Sequence, residues 1–231
     1  MDELVERVRQ LDQQGRSAKA IARTLGVGVR DVVGVLNGAV QVWVSGRGEP
    51  RCWVNVGWSR SVDLEGAPQW TSLDPGASDA EEVRGLVAVL VAADSARSTK
   101  AQVAGFLLDV WCLGVKNALP PEPMTPSQLA AHRHAYFSAF EGHVQVPTEL
   151  ARALVFGAAD YAHELGFAPE ADFDAAAVML GEPAGPSPIR FGRDGKPFYV
   201  NGPYDDPGAI MRTLRHAVGD DGFHYTLAFP E

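Results

Sequence analysis

The stretch Val103–Ala118, VAGFLLDVWCLGVKNA, runs apolar from Val103 to Val115 around a single ionisable side chain, Asp109. The run is too short to span a bilayer. With the apolar run Leu86–Ala93 before it and the polar DSARSTK between them, it reads as one of two adjacent central strands. An ionised carboxylate buried without partners is costly, so Asp109 should be hydrogen-bonded, paired or shifted in pKa, and it is the first candidate for a reactive group. The plainer alternative is an Asp at a strand end, satisfied by backbone N–H groups. Cys112, three residues on, faces the other side of a regular strand and reads as inert packing. Lys116 either returns toward Asp109 or sits in solvent.

Downstream, Asn117–Pro126 is proline-rich and reads as a connector. Thr125-Pro126-Ser127-Gln128 supplies a cap, a first-turn proline and a capping-box glutamine for a helix reaching about Phe140. Pro147-Thr148 opens a second helix, striped by Leu150, Leu154, Tyr161 and Leu165 and ended by Gly166. A third covers roughly Asp172–Leu180. The chain then reads as strand, Asp194-Gly195 hairpin turn, strand 196–201, helix from Pro207 and final strand 223–229.

Upstream, residues 59–82 are dense in turn formers and read as a surface loop. Val40, Val42 and Val44 alternate, as do Cys52, Val54 and Val56, so the two runs read as a hairpin about Gly46–Pro50. The first 38 residues read as three short helices. Apolar Leu4, Val5, Val8 and Leu11 lie in the first, Ile21, Ala22 and Leu25 in the second, and Val32, Val35 and Leu36 in the third. The expected fold class is therefore α+β: a three-helix unit over residues 1–38, then a mostly antiparallel sheet with a helical block over 39–231.

Composition narrows the partners. The net charge of −9 disfavours a protein that coats nucleic acid by charge alone. The balance is uneven: residues 1–38 hold six basic and five acidic side chains, a net +1, so the remainder carries −10. Nucleic-acid contact belongs at the start of the chain. Two cysteines outside any CxxC pair rule out a disulfide framework and a four-cysteine zinc site. The charged beginning MDELVER is unlike a secretory signal, so a bacterial cytoplasmic setting without membrane attachment is expected.

Residues 3–38 resemble the helix-turn-helix units of resolvases, recombinases and many small bacterial regulators, through small Ala22, turn residue Gly26 and apolar Ile21, Leu25, Val32 and Val35. The resemblance implies a groove-facing surface of Gly28, Val29, Arg30, Val33, Gly34 and Asn37. Arg30 and Asn37 would read guanine and adenine, Val29 and Val33 would touch thymine methyls, and Arg16, Lys19 and Arg23 would hold phosphates. Two base readers bind weakly alone, so a homodimer on two half-sites is implied. A protein-docking or dimerisation module is the alternative use of the same unit.

Residues 84–228 resemble an uncharacterised bacterial protein family through Asp109–Asn117 (DVWCLGVKN), Tyr161–Phe167 (YAHELGF) and Phe191–Pro197 (FGRDGKP). That resemblance brings no activity or cofactor and implies only that this region is one module.

These observations favour a non-enzymatic DNA-binding regulator whose acidic α+β domain dimerises, senses a small ligand or meets a protein partner. A second reading is a metal-dependent nucleic-acid-processing enzyme centred on Asp109, aided by Asp160 and His163, one helical turn apart, and by Asp172. Neither the Asp160/His163 pair nor His132-x-His134 has a distinctive metal-site spacing, and a solvated helix face accounts for the former. A third reading is an adaptor that binds a protein or ribonucleoprotein.

Overall fold

Asp109 closes a strand instead of interrupting one. In the computed structural model, which describes residues 49–76, 85–95, 98–183 and 185–226 together with Arg7, Gln10, Leu11, Ile21, Thr24 and Leu25, the run Val103–Val115 is cut by a tight turn. Strand β3 (Ala101–Asp109) ends at the carboxylate, and β4 (Gly114–Met124) begins where Gly114 takes φ 67°, a backbone shape open to glycine. Trp111 N–H and Cys112 N–H donate to Asp109 Oδ1 at 3.1 and 3.0 Å, which satisfies the turn from within. Cys112 therefore lies in a turn, and strand parity does not decide where it points.

The strands β1 (Arg51–Asn55), β2 (Leu86–Asp94), β3, β4 and β5 (His143–Val146) form one antiparallel sheet in the order β4-β3-β2-β1-β5. Two expectations fall with this order. β1 is hydrogen-bonded to β2 on one edge and β5 on the other, so no edge remains for a hairpin with Val40–Val44, residues that themselves lie outside the described ones. The proline-rich stretch 117–126 is no connector, because most of it is β4. Pro120, Pro121 and Pro123 are tolerated there because β4 is the sheet's outer strand and needs donors on one side only.

Alternation divides the sheet's two faces. Trp53, Ala88, Leu90, Ala92, Ala101 and Val103 face one way and pack on Leu129 and Phe137. Leu129 belongs to α1 (Pro126–Tyr136), whose full Thr125/Gln128 capping box is present and which ends earlier than Phe140. Gly105 leaves room for Tyr136, whose ring a β-carbon there would meet at 3.0 Å. The opposite face carries Cys52, Val54, Val89, Val91 and Phe106, all buried. It is covered by α2 (Thr148–Glu164) and α3 (Phe173–Ala177), with Phe173 edge-on to Phe106 and to Phe156.

Of the expected surface loop 59–82, residues 77–82 lie outside the described ones. The described part is mostly exposed or half-buried and includes the end of one 3-10 helix, Trp58–Ser61, and a second, Pro68–Leu73; the fully buried Trp58 lies just before the loop. After α3 comes a further 3-10 turn, Val178–Leu180, then the Asp194-Gly195 turn with φ 54° and 77°. Its type I′ shape is what that dipeptide favours. Strand β6 (Phe198–Val200), α4 (Pro207–Val218) and β7 (His224–Thr226) follow. β6 and β7 pair in parallel as a separate two-stranded sheet. Cys112, Leu165, Tyr199, Leu214 and Phe223 make the core beneath it.

The chain divides into two compact units, Met1–Arg47 and Gly48–Glu231. The fold is α+β, a five-stranded antiparallel sheet with few helices, and the expectation of a leading three-helix unit is corrected: the first complete elements described are β1 and a 3-10 turn. Of residues 1–48 only six helical positions are described, Leu11 and Ile21 being buried. Among the described residues no helix is long and apolar enough to cross a membrane.

Candidate ligand cleft and the buried Asp109 turn

The β3–β4 turn organises the second unit's far end. Gly192 N–H donates to Val110 O at 2.9 Å, and Phe198 N–H donates to Trp111 O at 3.1 Å, which holds residues 191–198 against the turn. Tyr161 of α2 stacks on Phe191 with ring centroids 5.9 Å apart, and Phe167 packs in the same core cluster as Cys112. The segments 109–117, 161–167 and 191–197 thus meet in space.

Asp109 is buried and its pKa is pushed up to about 6. Burial is the main cause, opposed by the nearby Lys116 ammonium and by the N–H groups of Trp111, Cys112 and Leu113. The carboxyl is a structural cap, and every hydrogen bond to it shown here comes from backbone. Burial also pushes the Cys112 thiol far up and the Cys52 thiol up to about 12, which disfavours the reactive thiolate at both. Lys116 does not return to Asp109 as a bonded partner. Its Nζ lies 3.2 Å from both carboxylate oxygens of Asp205, which also accepts from Gly202 N–H at 2.7 Å and from the fully buried Tyr199 hydroxyl at 3.3 Å. That network ties β4 to the 201–206 loop.

Beside the turn opens a cleft of about 560 Å³ between residues 60–63 and 190–195. Its walls are joined by a backbone bridge, Asp63 N–H to Arg190 O at 3.1 Å and Arg190 N–H to Asp63 O at 3.0 Å. Trp111 is its floor. The indole is held by Nε1–H donating to Ser61 O at 2.9 Å, by Phe198 edge-on at 5.6 Å, and by close approach of Gly85, where a β-carbon would collide with the ring. Three arginines, Arg60, Arg190 and Arg193, and two aspartates, Asp63 and Asp194, are among the residues that line the cleft. Arg190 pairs with Glu65 at 3.0 Å and Asp63 at 3.5 Å. Arg193 lies over the rings of Trp111 and Phe198, 5.3 and 4.7 Å from their centroids.

The remaining candidates named from the sequence do not gather around Asp109. Asp160 lines a separate groove of about 250 Å³ with Trp70, Arg152 and Phe156. His163 lines a shallow depression with Arg212 and His216. Asp172 is exposed just before α3, and its N–H donates to Glu170 Oε2 at 2.8 Å. Among the described residues no three His, Cys, Asp or Glu side chains stand together as metal ligands. Arg16, Lys19, Arg23, Val29, Arg30, Val33 and Asn37 all lie outside the described residues.

The cleft arginines were not singled out by sequence. Arg190 and Arg193 flank the Phe191-Gly192 pair beside a turn whose residues explain themselves structurally, and Arg60 is 130 positions away. The legible signal was only that a type I′ turn displays its neighbours. Compared with known proteins, the chain matches no family model, no curated protein and no solved structure.

Proposed function

We propose that this chain is a non-enzymatic, cytoplasmic DNA-binding regulator in two parts, residues 1–38 contacting DNA and the second unit binding a ligand. In that reading Arg30 and Asn37 address bases, Val29 and Val33 touch thymine methyls, and Arg16, Lys19 and Arg23 grip phosphates, with two copies sharing a site. One observation carries it: charge and compactness divide at the same place. Met1–Arg47 holds seven basic and five acidic side chains, net +2, which leaves −11 on the rest of the −9 chain. A phosphate-binding surface is favoured on the first part and disfavoured over most of the second. The engagement of Asp109 as a turn cap supports a binding role for the second unit over a hydrolytic one.

The test is fluorescence anisotropy of the full chain with mixed-sequence duplexes across a salt series. Affinity should fall steeply with salt, and Arg30→Ala should flatten base preference more than Arg16→Ala does. A chain with no affinity even at low ionic strength would end the DNA reading.

A further inference from the structure

Charge around the Trp111 cleft is balanced, three arginines against Asp63, Glu65 and Asp194, and selects no ion. The groove of about 250 Å³ that Trp70 lines is different. It lies between α2, the 3-10 helix Pro68–Leu73 and residues 183–188. Its walls are fixed. Ser187 Oγ donates to Ala153 O at 2.9 Å and accepts from Ile189 N–H at 3.2 Å, and Arg152 Nε–H donates to Leu180 O at 2.6 Å. A β-carbon at Gly66 would collide with the Pro188 carbonyl, and one at Gly157 with Phe191 and Ser187, so the three segments already touch. Little ordering is therefore needed when a ligand enters.

The lining selects the occupant. Trp70 and Phe156 are half-buried and supply two aromatic rings. Pro183, Pro186 and Pro188 have no N–H, and the Ser187 hydroxyl donates inward, so that wall is poor in donors. Asp160 lies one turn of α2 beyond Phe156, and its exposed carboxylate has no hydrogen-bond or ion-pair partner among the described residues. At the other end Glu149 and Arg152, three positions apart, offset each other's charge. The lining thus sums to −1, with the unbalanced charge at Asp160, in a unit of net −11. Aromatic rings beside one unpaired carboxylate attract a cation, and the field of the whole unit has the same sign of preference. The volume, below the roughly 300 Å³ at which drug-sized sites begin, limits that cation to a small one. Arg152 and Asp160 are eight residues apart, about 12 Å along the helix, too far for the adjacent amine and carboxylate of a free amino acid to meet both.

We infer that the Trp70 groove binds a small organic ammonium ion, its charged nitrogen at Asp160 and its apolar body against Trp70 and Phe156. This gives a chemistry to the ligand-binding role proposed above for the second unit, on which it rests, and does not depend on DNA contact.

The experiment is a heteronuclear NMR titration of the full chain at neutral pH and constant ionic strength. The probes are phenethylamine, 3-phenylpropionate and phenylalanine, which share a phenyl body and differ in charge. The Trp70 indole N–H signal is identified by its loss in Trp70→Leu. It should move saturably with phenethylamine, with a half-point below about 10 mM, and the other two probes should bind at least about tenfold more weakly. Asp160→Asn should weaken amine binding about fivefold, the size of one partly exposed ion pair. Asp220→Asn, which removes an exposed carboxylate paired with Arg215 outside the groove, should change nothing. The inference is overturned by absence of a saturable shift up to about 10 mM, by either other probe matching the amine, by Asp160→Asn binding as the wild type does, or by Asp220→Asn weakening binding equally. A chain that binds the amine and no DNA keeps this inference and loses the DNA reading. One that binds DNA and no amine does the reverse.

Discussion

Asp109 shows what a single buried carboxyl does to a fold. Its oxygen replaces the partners that two N–H groups lose when the chain turns out of the sheet, and burial then favours the protonated form. The folded pKa, about 6, lies above the ordinary 3.8, so the stabilisation is complete below about pH 4 and is lost as pH rises through about 6. The difference corresponds to about 3 kcal/mol at most. Urea midpoints measured from pH 3.5 to about 7.5 should contain this falling component in the wild type, and Asp109→Asn should lack it. Gly114 is the turn's second requirement. It adopts φ 67°, and a β-carbon there would meet Ala162 and the Ala158 carbonyl of α2. Gly114→Ala should lower stability by roughly 3 kcal/mol, combining backbone strain with a displaced helix, read as a reduced urea midpoint at unchanged slope.

Among the elements, α1 was readable from its own residues and β4 was not. The Thr125 hydroxyl accepts from Gln128 N–H, and the Gln128 amide oxygen accepts from Thr125 N–H, a reciprocal cap completed within four residues. Thr125→Ala should cost about 1 kcal/mol, seen as an earlier thermal transition without loss of the sheet's circular dichroism. The prolines of β4 look like a connector because proline lacks a ladder donor. Whether that matters depends on which strand is outermost, and no window of sequence contains that fact. Four-residue β5 (HVQV) was missed for the same reason: its pairing partner, β1, is about ninety positions away.

For the whole molecule, the division at Arg47/Gly48 leads to a test of autonomy. The second unit contains every strand and helix described in full, with its own core on both sheet faces. A chain cut to residues 49–231 should unfold in one cooperative transition by calorimetry and should show no salt-dependent affinity for duplex DNA. Aggregation of that fragment, or DNA affinity equal to the full chain's, would contradict the division of labour. The candidate site was hidden at this scale as well: Arg60, Trp111 and Arg193 come from three distant segments, and only the Asp63–Arg190 bridge and the Trp111 turn bring them to one cleft.

By itself the sequence determined the local events: the cap of α1, the proline that opens α4, the glycine that follows α2, the type I′ turn at Asp194-Gly195 and the adjacency of β2 and β3. Each depends on hydrogen bonds or backbone angles within a few residues, or on two apolar runs joined by a short polar link. The strand-end Asp109 held by backbone N–H groups was one of the two readings its sequence offered, and the structure bears it out. Tertiary structure alone decided that β4 and β5 are the sheet's edges and that three arginines share a cleft. Those outcomes depend on which groups compete for the same hydrogen bonds and the same buried space, and the competitors are scattered along the chain.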